Sequence, residues 1–129
     1  MAVRENEIAR DIVDAAYKVH TTLGPGLLES VYEVVLAYEL TQRGHQVVRQ
    51  QPIAISYEGL VFDIGFRADL VVDGLVIVEL KSVERAVPVH KKQALTHIRL
   101  ADKRLGLLIN FGANRIKDGI TRLVNGLPE

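Results

Sequence analysis

The chain has 129 residues, 48% of them apolar and 25% charged, with a formal net charge of zero. That length suits one domain, 1–129, able to bury roughly two-thirds of its unfolded surface in a single core. No apolar run approaches the roughly 18 residues needed to span a bilayer, so the chain should be soluble, not membrane-embedded. With no basic leader ahead of an apolar stretch, the expected compartment is the cytoplasm. The sequence has no cysteine, which excludes disulfides and thiolate metal sites and leaves oxygen or imidazole as the only side-chain ligands for a metal.

Neutrality conceals an asymmetry. Residues 1–45 carry 4 Lys/Arg and 7 Asp/Glu, residues 46–85 carry 4 and 6, and residues 86–129 carry 8 and 3, so only the last third is basic. Lys91, Lys92, Arg99, Lys103, Arg104, Arg115, Lys117 and Arg122 could form a phosphate-facing patch; solvated helix faces have the same composition.

In chain order, Ile8, Ile12, Ala15, Ala16, Val19 and Leu23 recur at helical spacing with charges between them, which predicts an amphipathic helix over about 6–22. Gly24, Pro25 and Gly26 break it. A second helix is expected to about Arg43, with Leu28, Val31, Val35 and Leu36 apolar and Gly44 at its C-terminal cap. The next forty or so residues change period. "HQVVRQ", "PIAISYEG", "LVFDIGFRADLVVDG" and "LVIVELKSV" are rich in β-branched residues and punctuated by turn residues, which predicts four strands of a meander. Pro88 can open a helix to about Lys103, with Ala94, Leu95, Ile98 and Ala101 inward. "LGLLINF" reads as a buried strand, and the tail "RIKDGITRLVN" suits either a helix or a turn into a strand. The expected class is α/β, in the order α-α-β-β-β-β-α-β with a short terminal strand or helix.

The stretch "RADLVVDGLVIVELKSV" places Arg67, Asp69, Glu79 and Lys81 within apolar strands. A two-residue Asp73-Gly74 turn would pair Asp69 with Val78 and put Asp69 and Glu79 on opposite faces. A three-residue loop, Val72-Asp73-Gly74, with Gly74 in the left-handed position of a bulge, would set Asp69 opposite Ile77 and on the same face as Glu79. Glu79 and Lys81 share a face by the period of two. Under a covering helix, two unpaired carboxylates would cost several kcal/mol, so a cation is expected beside them. Carboxylate oxygens suit Mg²⁺, which takes one or two of them and keeps several waters. Lys81 could activate a water or stabilise charge on a phosphate. The same spacing also allows a plain ion pair of Asp69 or Glu79 with Arg67 or Lys81.

Asp69, nine intervening residues, then Glu79-Leu80-Lys81 resembles the signature of the PD-(D/E)XK nuclease superfamily. "VHTTLGPGLLESVYEVVLAYEL", with Gly26-x-x-Glu29-x-x-Tyr32, resembles the GxxExxY branch of that superfamily, and "FRADLVVDGLVIVELKSV", "PVHKKQALTHIRL" and "LGLLINFG" are similar to its later blocks. The resemblance implies a restriction-endonuclease-like core, a mixed sheet flanked by helices, with a divalent-metal site that hydrolyses phosphodiester bonds. It implies metal binding by the Asp69 and Glu79 carboxylates and the Leu80 main-chain carbonyl, a Lys81 that serves the nucleophile, and an acidic contribution from Glu29. Glu29 also suits the first turn of a helix on electrostatic grounds alone, and Tyr32 suits packing with a hydrogen-bonded hydroxyl.

His90, Gln93 and His97 share one helix face at spacings of three and four. Gln93-x-x-x-His97 resembles the Gln-x-x-x-Tyr of RecB-like members with the tyrosine replaced, so Gln93 is expected to orient water or a ligand. His20, just before Gly24, suits a helix C-terminus. The expected function is a nuclease, with Mg²⁺ or, as a substitute, Mn²⁺, that cuts DNA through a metal-activated water. Its basic third would hold the backbone, with a homodimer joining two such patches. Aromatic residues make up only 5% of the chain, which argues against base stacking of the RNA-binding type. The alternative is a catalytically inactive module of the same fold that binds nucleic acid or a protein partner.

Overall fold

The first apolar stripe folds as α1 (Arg4–Leu23), which buries Ile8, Ile12, Ala15, Ala16 and Val19. The computed structural model describes residues 3–128; positions 1–2 and 129, the extremes of the expected domain, lie outside them. After Gly24 and Gly26, both at positive φ, α2 (Glu29–Gln42) begins. The Tyr32 hydroxyl ties this bend by donating to the Gly24 carbonyl and accepting from the Leu27 N–H, and its ring stacks on Phe111. Tyr32 is therefore a packing residue.

Strands β1 (Val47–Tyr57), β2 (Leu60–Val72) and β3 (Val76–Lys81) follow, then α3 (Pro88–Leu100), β4 (Leu105–Asn110), the single turn α4 (Ile116–Gly119) and β5 (Ile120–Val124). Among the described residues the sheet runs β1-β2-β3-β4-β5, with only the β3–β4 pair parallel. A parallel pair needs a crossover, and α3 supplies it. The α/β class with a mixed, helix-flanked sheet holds, and the tail is both a helical turn and a strand. One detail differs: the segments expected as separate strands at 45–50 and 52–59 are one strand, so three strands precede α3 instead of four. Pro52 did not end the strand because β1 is at the sheet edge, where a missing N–H is tolerated.

Each face of the sheet has its own core. Leu70, Val72, Val76, Val78, Leu80, Leu105, Leu107 and Ile109 pack with α1 and α2. Val71, Ile77 and Leu108 pack with Ala94 and Ile98 of α3. Gly106 allows α3 to lie close, since a Cβ there would come within 2.6 Å of Ile98 Cγ2. Buried Glu5 receives two hydrogen bonds from Arg104, at 2.7 and 2.9 Å, which pin α1 to the start of β4. The outer part of the β1–β2 hairpin leaves the core, and Tyr57, Leu60, Val61, Phe62 and Ile64 are exposed there.

Candidate active site

The parity of the β2–β3 hairpin decides whether Asp69 meets Glu79. Leu75 N–H donates to Val72 O at 3.0 Å, and Asp73 and Gly74 both have positive φ, the pattern of a tight type I′ turn. The strands nevertheless pair Val72 with Val76, Val71 with Ile77 and Leu70 with Val78. Leu75 is thus an extra residue, a bulge on the β3 side of the turn. The ladder ends at Leu70 and Val78; one further step in the same register would set Asp69 opposite Glu79. Neither register considered from the sequence is the one observed: the loop is Asp73-Gly74-Leu75, and the carboxylates are opposed, not diagonal. The shared face is retained because the total shift is even.

Asp69 Oδ2 accepts a 2.7 Å hydrogen bond from the Leu80 N–H, and Asp69 lies near enough for its charge to act on the Glu79 carboxyl. Burial first, then the Asp69 charge, pushes Glu79 up to about 8, while nearby Lys81 acts in the opposite direction. Lys81 is held through its backbone: Phe111 N–H donates to its carbonyl at 2.8 Å. The loop beyond it is clamped by Asn110, whose side chain bonds both Val83 N–H and Val83 O.

Two recesses meet at this carboxylate pair. The larger, about 380 Å³, is lined by Glu29, Ser30, Glu33, Gln50, Asp69 and Leu80. The smaller, about 30 Å³, is lined by Glu79, Lys81, His90, Gln93, Ala94, His97 and Leu108. Glu29, exposed at the start of α2, thus shares a recess with Asp69, and Gln93 shares one with Glu79 and Lys81. The expected site residues Glu29, Asp69, Glu79, Leu80, Lys81 and Gln93 all line one or other of these recesses. His20 does not: its Nε2 lies 2.8 Å from the Ala113 carbonyl, a tether between α1 and the loop after β4.

Sequence reasoning missed Glu33 and Gln50. Buried Glu33 pairs with Arg49 at 3.1 Å. The Gln50 amide donates to Glu33 Oε1 at 2.5 Å and to Asp69 Oδ1 at 3.3 Å, from a backbone at φ 52°. That left-handed conformation is costly for a residue other than glycine, and it accompanies the turning of one amide toward two carboxylates. The four-residue spacing of Glu29 and Glu33 on one helix face was the available signal for Glu33; nothing local marked Gln50.

Among the described residues, no group of three or more acidic or imidazole side chains is placed to hold an ion by side chains alone. Two neighbouring hard carboxylates, Asp69 and Glu79, are nevertheless donors that suit a divalent cation retaining several waters. A sequence model of the PD-(D/E)XK nuclease superfamily matches residues 6–123. The chain belongs to that superfamily. Comparison with curated proteins and with solved structures returned no significant match. For a PD-(D/E)XK chain, nuclease activity, nucleic-acid binding and dependence on a divalent metal are the superfamily's typical properties, and Asp69, Glu79 and Lys81 all lie within the matched residues. No helix among the described residues is long and apolar enough to cross a membrane.

Proposed function

We propose that this chain is a Mg²⁺-dependent nuclease of the GxxExxY branch that hydrolyses phosphodiester bonds of DNA, with Mn²⁺ as a working substitute. The observation that carries the proposal is the close approach of two half-buried carboxylates, Asp69 and Glu79, with the Lys81 charge beside them. Like charges in contact in a partly desolvated site are unfavourable without a cation. Asp69, Glu79 and the Leu80 carbonyl would hold that cation. When bound, it supplies Lewis acidity and a water of lowered pKa.

The chain's own residues do the rest. The Lys81 ammonium stabilises charge that develops on the scissile phosphate. Gln93 offers an amide to orient a water in the smaller recess, and Glu29 accepts hydrogen bonds at the rim of the larger one. Exposed Lys91, Lys92 and Arg99 on α3 supply positive charge for the backbone on the helix that also carries Gln93. A homodimer would join two such faces along one duplex.

The replacement of the RecB-like tyrosine by His97 favours a second reading, a module that binds without turnover. Incubation with supercoiled, single-stranded and branched DNA and with RNA, in Mg²⁺ or Mn²⁺, separates the two. Metal-dependent cutting that falls at least about 100-fold in both Glu79→Ala and Lys81→Ala is the expected result. Cutting that survives both substitutions would remove these residues from the site; binding without cutting would favour the module.

A further inference from the structure

His97 is more than an occupant of the position where a tyrosine was expected. Its Nδ1 lies 2.9 Å from Glu79 Oε1. Its ring stacks on Phe66 with centroids 4.1 Å apart and planes 8° from parallel. Phe66 comes from β2, three residues before Asp69, so the strand that carries one carboxylate also braces the imidazole that touches the other. One turn earlier on α3, Gln93 faces the same recess, and Gly106 permits the close approach of the helix to the sheet. Glu79 has two oxygens, and contact with Asp69 alone would leave it free to rotate about its terminal bonds. The His97 contact removes that freedom.

We infer that His97 is a positioning residue: clamped by Phe66, it uses Nδ1 to fix the Glu79 carboxylate in the orientation that binds the divalent cation. The inference rests on the nuclease-site reading above. A carboxylate that ligates an ion is itself commonly oriented by a hydrogen-bond donor, and loss of such a partner typically costs about 10- to 100-fold in metal affinity. When Glu79 is ionised, the proton of the contact resides on Nδ1, so the imidazole donates to Oε1 and Nε2 is left as an acceptor toward the recess.

The choice of nitrogen supplies a specific test. An asparagine amide nitrogen lies near the place of Nδ1, whereas a glutamine amide nitrogen reaches to the place of Nε2. Mn²⁺ affinity is measured by calorimetry for the wild type, His97→Ala, His97→Asn, His97→Gln and Phe66→Leu, at a temperature where thermal melts show each protein folded. The expected pattern is a loss of about 10- to 100-fold for His97→Ala and for His97→Gln, near-wild-type affinity for His97→Asn, and an intermediate loss for Phe66→Leu. A packing role would lower melting temperature without separating asparagine from glutamine, so equal affinities for those two variants would overturn the inference even if His97→Ala fails to fold. Wild-type protein that binds no Mn²⁺ would overturn the metal-site reading itself, and His97 positioning with it. Wild-type binding undiminished in His97→Ala would overturn the positioning role alone.

Discussion

The β2–β3 hairpin carries an imidazole–carboxylate contact at each end, and the two are built differently. At the closed end, buried His45 lies between Asp73, 2.6 Å from Nδ1, and Asp11, 2.8 Å from Nε2. Asp73 also accepts from the Gln46 N–H, and Arg4 stands 3.4 Å away. At the open end, Glu79 is the one carboxylate within hydrogen-bond reach of His97, and Asp69 sets a second carboxylate near Glu79. Burial works against the charged form of both imidazoles, but two carboxylates overcome it at His45 and raise it, whereas His97 is lowered. Asp73 is held below the usual carboxylate range, its burial outweighed by His45 and Gln46; Glu79 is pushed above it. One end neutralises its charges internally and anchors a turn. The other sets two carboxylates against the single nearby Lys81, which favours an incoming cation.

The severest way to break this comparison is to change the register that separates its ends. Deleting Ile77 keeps the turn and its bulge but moves every later residue of β3 one place along the ladder. Asp69 and Glu79 would then face apart, and Val78 and Leu80 would turn their side chains away from the core shared with α1 and α2. Loss of the cooperative thermal transition is expected, read by circular dichroism. A deletion variant with native-like melting would show that the ladder does not fix the parity.

A paired substitution sharpens the contrast with a smaller effect. Glu79→Gln removes a charge that burial and Asp69 both disfavour, so in metal-free buffer near pH 8 its melting temperature should rise by a few degrees while cleavage is lost. Asp73→Asn weakens the contacts to His45 and Gln46 and should cost about 2 kcal/mol, measured by denaturant titration, with cleavage retained. If both substitutions shift stability in the same direction, the two ends are not differently compensated.

This contrast was only half legible in the sequence. The change from a 3.6-residue to a two-residue period exposed the fold class, and alternation within "VELK" put Glu79 and Lys81 on one face. Asp-Gly announced a turn. It could not say which flank carries the extra residue, because Val72 and Leu75 are both apolar and either suits a strand end. Pro52 read as a boundary because its tolerance depends on β1 lying at the edge, a property of the whole sheet. Gln50 and His97 gain their roles from neighbours 19 and 18 positions away, Asp69 and Glu79, so no local pattern carried them. His45 was read only as part of a strand, although its partner Asp73 stood out as a turn residue.

The smallest expected effect is the pH dependence of the closed end, and its sign follows from linkage. His45 has a folded pKa raised above its ordinary 6.5: burial lowers it, and hydrogen bonds and charge from Asp73 and Asp11 more than reverse that. The folded state therefore holds the His45 proton more tightly than the unfolded chain does. The stabilisation is fully present below about pH 6.5 and is lost as pH rises through the folded value. Denaturant titrations of wild type and His45→Gln from pH 5.5 to about 9 should show a stability gap that is constant at the acid end and narrows toward the alkaline end. Cleavage by His45→Gln, compared at pH values where both proteins are fully folded, should match the wild type throughout. A gap that instead widens with pH would mean that burial governs His45 as it governs His97, and the two ends of the hairpin would then be alike.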